Sequence, residues 1–483
     1  MQLKVIQRIL GLLLIIFSST LLPPIGIGLI YQDGAILAFV EAFLVIIAIG
    51  FLLYLPVRDQ KKELRLRDGF LVVVLFWTVL GVAGGLPLYL SNIYDISVTD
   101  AVFESISGLT TTGATVIVGI DTLPHSILFY RQELQWLGGM GIIVLAVAVL
   151  PMLGIGGMQL FRAETPGPVK DTKLTPRITE TAKALWYLYL GLTVCCCLAY
   201  WVAGMTFFDA ISHAFSTVAI GGFSTHDASI GYFDSTAIEM IAIVFMLLSG
   251  INFAIHFMAV RHRSINPYRR DAETRTYLGV LIIVSLITIV YLQANKTFDS
   301  TTESIIEGLF QVVSIGTTTG FTTAEYYSWP GFLPVLLLYV SYIGGCSGST
   351  GGGIKVIRIL LLVKQGVREL QRLIHPSAQI VVKIGKKPLP ENVIEAVWGF
   401  FAAYFAISAL MILTLMATGL DQETAFSAVA ACLNNLGPGL GDVGQNFSTI
   451  NDFAKWTLCL AMLLGRLEIF TLLVLFTPGF WKK

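Results

Sequence analysis

Four short stretches place a glycine directly after small, hydroxyl-bearing or amide residues: "LTTTG" at 109–113, "VAIGG" at 218–222, "GTTTG" at 316–320 and "NNLG" at 434–437. Glycine permits backbone angles closed to other residues, so a turn built on it can present peptide carbonyls in one direction. Rings of such oxygens can replace the water lost by a dehydrated monovalent cation. A single "TTTG" reads equally well as a helix C-cap with a polar turn. Four in matched register do not.

Counting thirteen residues back from each glycine aligns "DAVFESISGLTTTG" (100–113), "DAISHAFSTVAIGG" (209–222), "EGLFQVVSIGTTTG" (307–320) and "TAFSAVAACLNNLG" (424–437) without a gap. The second position is always Ala or Gly, and the eighth is Ser107, Ser216, Ser314 or Ala431. The glycines lie 109, 98 and 117 residues apart, far beyond a solenoid period. Each copy sits between long apolar runs. Its own apolar segment of about twelve residues is too short to cross a bilayer, so it reads as re-entrant.

The elements that must position these turns are membrane spans. The 483-residue chain is 55% hydrophobic and 13% charged, against about a quarter charged in soluble proteins. Ten candidate spans lie near 5–30, 36–56, 70–90, 126–153, 184–204, 237–260, 277–294, 331–363, 393–418 and 453–477. The first runs on through "LLPPIGIG" and is read as a retained span, not a cleaved signal. The predicted fold is an all-α polytopic membrane protein. Two N-terminal helices (1–69) precede four span–pore helix–span repeats, at 70–183, 184–276, 277–392 and 393–483, around a pseudo-fourfold axis.

Basic residues set the orientation. They fill alternate loops: Arg58, Lys61, Lys62, Arg65 and Arg67; Arg162, Lys170, Lys173, Arg177 and Lys183; Arg261, Arg263, Arg269, Arg270 and Arg275; and Lys364, Arg368, Arg372, Lys383, Lys386 and Lys387. The opposite connections carry only Lys296 and Lys455. Both termini are therefore expected in the cytoplasm. The outer connections are acidic, with Asp95, Asp100, Glu104 and Asp121 in the first and Asp209, Asp227 and Asp234 in the second. The third holds Asp299, Glu303, Glu307 and Glu325, and the fourth Asp421, Glu423, Asp442 and Asp452. They form either an ordinary solvated surface or a vestibule that concentrates cations. Formal net charge is zero, which argues against a nucleic-acid partner. Six scattered or adjacent cysteines give neither a disulfide framework nor a zinc spacing.

At "GLTTTGAT", "AIGGFSTH", "GTTTGFTT" and "NNLGPGLG" the chain resembles the filter segments of the Trk/Ktr/HKT potassium-transporter superfamily. "LQWLGGMGIIVLAVAVLP", "GCSGSTGGGIKVIRILLL" and "AMLLGRLEIFTLLVLF" are similar to the TrkH-type uptake subunits of that superfamily. The resemblance implies potassium uptake across a bacterial inner membrane, with K+ as cargo and no organic cofactor in this chain. It also implies a homodimer among membrane lipids and a cytosolic TrkA-type ring that binds ATP or NADH and gates from below. Ion-coordinating carbonyls would belong to Thr111, Thr112 and Gly113; Ile220, Gly221 and Gly222; Thr318, Thr319 and Gly320; and Asn435, Leu436 and Gly437. Repeat two lacks threonine at the turn, and repeat four has Pro438 after its glycine. Side chains vary while the glycine stays, which suits coordination by backbone. One glycine per repeat, against two in TVGYG, predicts fewer well-formed sites and looser selectivity.

Two features interrupt the spans. "GGCSGSTGGGIK" sets Gly344, Gly345, Gly348, Gly351, Gly352 and Gly353 inside an apolar run, each costing about 1 kcal/mol in a helix interior. The alternatives are close helix packing or an intramembrane loop that obstructs the pore, and the resemblance favours the loop. Lys355 is placed to snorkel toward the cytoplasm. Arg466 and Glu468 lie in the last span, two residues apart and so not facing each other. Arg466 is either bridged to a carboxylate on a neighbouring helix or projects into the pore as a positive barrier. The six histidines show no metal spacing and no nucleophile–base constellation, so no enzyme is predicted. A solute carrier with two inverted halves fits four same-direction hairpins poorly.

Overall fold

Each of the four short helices starts at a side chain that accepts a hydrogen bond from the helix's own first turn, which answers the unpaired amides there. Ser97 caps Val98–Leu109 at 3.0 Å, Thr206 caps Phe207–Ala219 at 3.1 Å and Ser300 caps Thr301–Thr317 at 3.0 Å. Asp421 caps Gln422–Leu433 through two amides, at 3.0 and 3.1 Å. Asp100, Asp209, Glu303 and Glu423 occupy those first turns, where the helix dipole favours negative charge. Part of the acidity of the outer connections is therefore helix-starting chemistry.

This computed structural model describes residues 1–60, 65–91, 96–141, 178–385 and 387–482. The second half of the 126–153 span lies outside the described residues, as do Lys61, Lys62, Asp95, Arg162, Lys170, Lys173, Arg177 and Lys386. Six described helices are long and apolar enough to cross a membrane, and two further pairs qualify if each bent pair is one span. The first two spans are Leu3–Tyr31 and Ile36–Val57, crossing where Gly11 and Gly50 bring their backbones together. The others are Arg67–Leu90, Lys183–Val202, Ala272–Ala294 and Val393–Ala417.

The spans after each glycine turn are less regular. His125–Trp136 runs into a π-helical turn at Leu137–Gly141. Thr236–Ser249 and Phe253–His262 meet at 95°, a break the sequence reading does not contain, with Asn252 capping the second piece. Leu333–Ile343 and Val356–Ile374 flank the glycine-rich loop. Asp452–Arg466 turns by 107° into Phe470–Phe476, with left-handed backbone at Glu468 and Ile469.

These four post-glycine helices close the molecule on itself. His125–Trp136 packs on Phe207–Ala219 of the next repeat, and Thr236–Ser249 on Thr301–Thr317. Leu333–Ile343 packs on Gln422–Leu433, and Asp452–Arg466 returns to Val98–Leu109. The short helices stand inside this circle, buried along most of their length beyond their first turns, with Thr301, Thr302, Glu303 and Ile305 exposed at the start of Thr301–Thr317. At about 1.5 Å per residue, a twelve-residue helix such as Val98–Leu109 reaches about 18 Å, short of the about 30 Å hydrocarbon core.

Candidate functional site

All four short helices end in the same way. The amides of Thr112, Gly221, Thr319 and Leu436 donate back to the carbonyls of Ser107, Ser216, Ser314 and Ala431 at 2.7–2.8 Å. The residue before each amide is left-handed: Thr111 at φ 55°, Ile220 at 54°, Thr318 at 69° and Asn435 at 54°. This is the Schellman closure, and it ends each short helix on the main-chain carbonyl of the eighth aligned residue. Helix ends usually give the left-handed position to glycine. Holding β-branched Thr111, Ile220 and Thr318 there stores strain of the order of 1–3 kcal/mol each.

The glycines follow two residues later, at φ 81°, 79°, 85° and 97° for Gly113, Gly222, Gly320 and Gly437. A β-carbon on Gly113 would strike the Gly221 carbonyl oxygen, and one on Gly222 the Thr319 oxygen. One on Gly320 would strike the Leu436 oxygen, and one on Gly437 would meet the Thr112 oxygen at 2.7 Å. Each repeat thus touches the next, and the fourth touches the first. The structure brings all twelve expected turn residues into one closed ring.

Behind the ring, each short helix holds its own outgoing strand by a different polar side chain. Glu104 accepts from Val116 N at 3.0 Å and Thr115 Oγ1 at 3.0 Å, and pairs with Arg131 at 2.8 Å, both side chains almost fully buried. His213 Nε2 meets Ser224 Oγ at 2.8 Å. Gln311 donates to Ala324 O at 3.3 Å, and Ser427 accepts from Leu440 N at 2.9 Å. Glu104, His213 and Gln311 share the fifth aligned position. Sequence reasoning placed Glu104 in an acidic surface instead. The available signal was a polar residue recurring inside an apolar helix, together with Arg131 in a span.

Beneath the turns lies the glycine-rich loop. Gly352 N donates to Thr318 Oγ1 at 2.7 Å and Gly353 N to Asn434 O at 2.9 Å, while Thr350 Oγ1 donates to Val218 O at 2.9 Å. A side chain at Gly352 would collide with the Asn434 carbonyl, so the loop can lie this close only as glycine. Arg466 donates to Thr111 Oγ1 at 3.1 Å, to Gly139 O at 2.9 Å and to Gly138 O. It stands below the ring, against repeat one and the loop. Glu468 takes Arg358 as its ion-pair partner. Lys355 turns its amine onto Gly351 O inside the loop, not toward the cytoplasm.

On the outer side, His226 Nδ1 lies 2.5 Å from Asp121 and its Nε2 lies 3.6 Å from Asp209, with the ring stacked on Tyr232 at 3.4 Å. Burial pushes the imidazole down, but Asp209 and Asp121 outweigh it and hold its pKa above the ordinary value. A raised folded pKa stabilises fully below the unfolded value, about 6.5, and that contribution fades as pH rises through the folded value. The melting temperature should therefore fall from pH 6 to pH 9 more steeply in the wild type than in His226→Gln. Equal slopes in thermal melts would show that the contacts of His226 with Asp121 and Asp209 do not stabilise the fold.

A helical membrane protein with four re-entrant segments closing a ring of glycine turns belongs to the pore-loop class, which transports cations and is not enzymatic. The chain is a member of the TrkH family, described as a cation transport protein, which matches residues 35–483. It is similar over its whole length to the Trk system potassium uptake protein TrkH of Vibrio parahaemolyticus, with 60% identity and 100% of both chains covered. The Escherichia coli K12 protein of that name is 58% identical, again with 100% of both covered. The crystal structure of the potassium transporter TrkH from Vibrio parahaemolyticus superposes with a TM-score of 0.91 at 57% identity, covering 100% of both chains.

Proposed function

We propose that this protein takes up potassium across a bacterial inner membrane through a filter of backbone carbonyls at 111–113, 220–222, 318–320 and 435–437. The observation that carries the reading is the closed ring, in which each repeat's glycine lies against the carbonyl of the next repeat. Helix C-termini aimed at such a ring add their negative dipole ends to it. The names of full-length relatives support potassium as the cargo. The repeats are taken to run 70–183, 184–276, 277–392 and 393–483, after two helices in 1–69, with both termini cytoplasmic as the basic loops require. A homodimer and a TrkA-type ring carrying ATP or NADH belong to the same reading, supported by the resemblance alone.

The loop at Gly344–Gly353 and Arg466 form the gate in this reading. Loop amides and the guanidinium occupy acceptors just below the ring, and a fixed positive charge there repels a cation. The test is flux into proteoliposomes under potassium or sodium gradients. The wild type should take up potassium in preference to sodium and rescue growth of an uptake-deficient bacterium on limiting potassium. Arg466→Ala should raise potassium flux several-fold. Flux abolished in a folded variant would make Arg466 a structural brace instead.

A further inference from the structure

Repeat two lacks a device that its neighbours carry. In repeat one, Thr110 donates to Ile106 O at 2.7 Å, so its 2.7 Å contact with Thr112 Oγ1 must be a bond donated by Thr112. In repeat three the same logic gives Thr319 donating to Thr317, again at 2.7 Å. These hydroxyl pairs sit three residues and one residue before the glycine and tie the turn to its helix. The corresponding residues in repeat two are Ala219 and Gly221, which have no hydroxyl.

The space is filled from outside. Gln135, fully buried on the helix His125–Trp136 of repeat one, donates through Nε2 to Gly221 O at 2.6 Å. Its Oε1 accepts from Phe223 N at 3.0 Å. The one amide thus grips the strand on both sides of Gly222. A β-carbon on Gly221 would land on the Gln135 carboxamide. The glutamine occupies the volume where a threonine side chain at 221 would stand. Arg131 and Gln132, on the same helix, extend the grip to Ser224 O at 3.2 Å and Phe223 O at 3.3 Å.

We infer that Gln135 is a positioning residue for ion selection: it fixes the Gly221 carbonyl in place of the hydroxyl pair that repeats one and three possess. This rests on the filter reading above. A carbonyl held by a donor keeps its orientation when a smaller ion arrives, and an unheld one can turn inward to meet it. The glutamine therefore supports rejection of sodium without touching the ion.

The experiment measures the potassium-to-sodium flux ratio of the full-length protein in liposomes, using variants that remain monodisperse in detergent. Gln135→Ala should lower the ratio about fivefold, the scale of one lost buried hydrogen bond. Gln135→Glu retains the acceptor for Phe223 N but sets a carboxylate against the Gly221 carbonyl, so it should fall lower still. Rebuilding the pair in Gln135→Ala/Ala219→Thr/Gly221→Thr should recover selectivity; Gly221 is not left-handed, and the three atoms nearest to a β-carbon there all belong to the Gln135 side chain. An unchanged ratio in Gln135→Ala overturns the inference, as does Gln135→Glu at or above Gln135→Ala. So does a folded triple variant no better than Gln135→Ala. If Gly320→Ser also leaves the ratio unchanged, the filter reading itself falls; if Gly320→Ser lowers it and Gln135→Ala does not, only the role of Gln135 is lost.

Discussion

Gly320→Ser is expected to cut potassium flux about tenfold or more and to bring the potassium-to-sodium ratio toward one. Gly320 sits at φ 85°, where any side chain is strained, and its β-carbon would be driven into the Leu436 carbonyl oxygen and to 2.8 Å from Pro438 Cδ. The new atom cannot be accommodated by a side-chain swing, because what it meets is backbone and a proline ring. Either strand must retreat from the axis, and the fourfold set of oxygens loses its fit at two repeats at once. Gly366→Ala is the control: it lies in a helix with nothing within 4 Å, and its flux should match the wild type. Wild-type selectivity in a folded Gly320→Ser protein would end the filter reading.

The second large effect concerns stability. Arg131→Met should lower unfolding stability by about 3–5 kcal/mol, because it strands the Glu104 carboxylate in the interior. Arg131 is 1% and Glu104 0% exposed by side chain. Thr115 Oγ1 and Val116 N remain to Glu104, but two neutral donors do not replace a guanidinium. The same substitution releases Ser224 O and removes a cation stacked 4.3 Å from the Phe223 ring. Neutralising both partners in Glu104→Gln/Arg131→Met should recover much of the loss, since a well-packed neutral pair often matches a buried ion pair. Melts in detergent, arranged as a double-mutant cycle, measure the coupling. A single variant as stable as the wild type would show that the pair has no structural role.

Residues by themselves determined the membrane class, the fourfold repeat and the place of each turn. Those features are written in local, periodic terms: apolar run length, charge in alternate loops, and a glycine at a fixed offset. The broken segment at Gly344–Gly353 was legible for the same reason, since glycines inside an apolar run conflict with an unbroken helix. The bend after Arg466 was not legible, because two charges in an apolar run are compatible with one continuous span. The break at Gly250–Asn252 was not, because a lone "SGIN" is compatible with a continuous span.

What holds the ring together was decided only in three dimensions. Glu104 and Arg131 are 27 residues apart, Gln135 and Gly221 86, and Arg466 and Thr111 355. Nothing in their own neighbourhoods names their partners. For Gln135 and Arg466 the pairing follows from the circular packing, in which each post-glycine helix leans on the next repeat's short helix. Arg131 instead meets Glu104 where His125–Trp136 packs on Val98–Leu109 of its own repeat. A buried polar group must find its complement wherever the fold brings one. Sequence spacing sets what a residue can offer, and the closed circle sets what receives it.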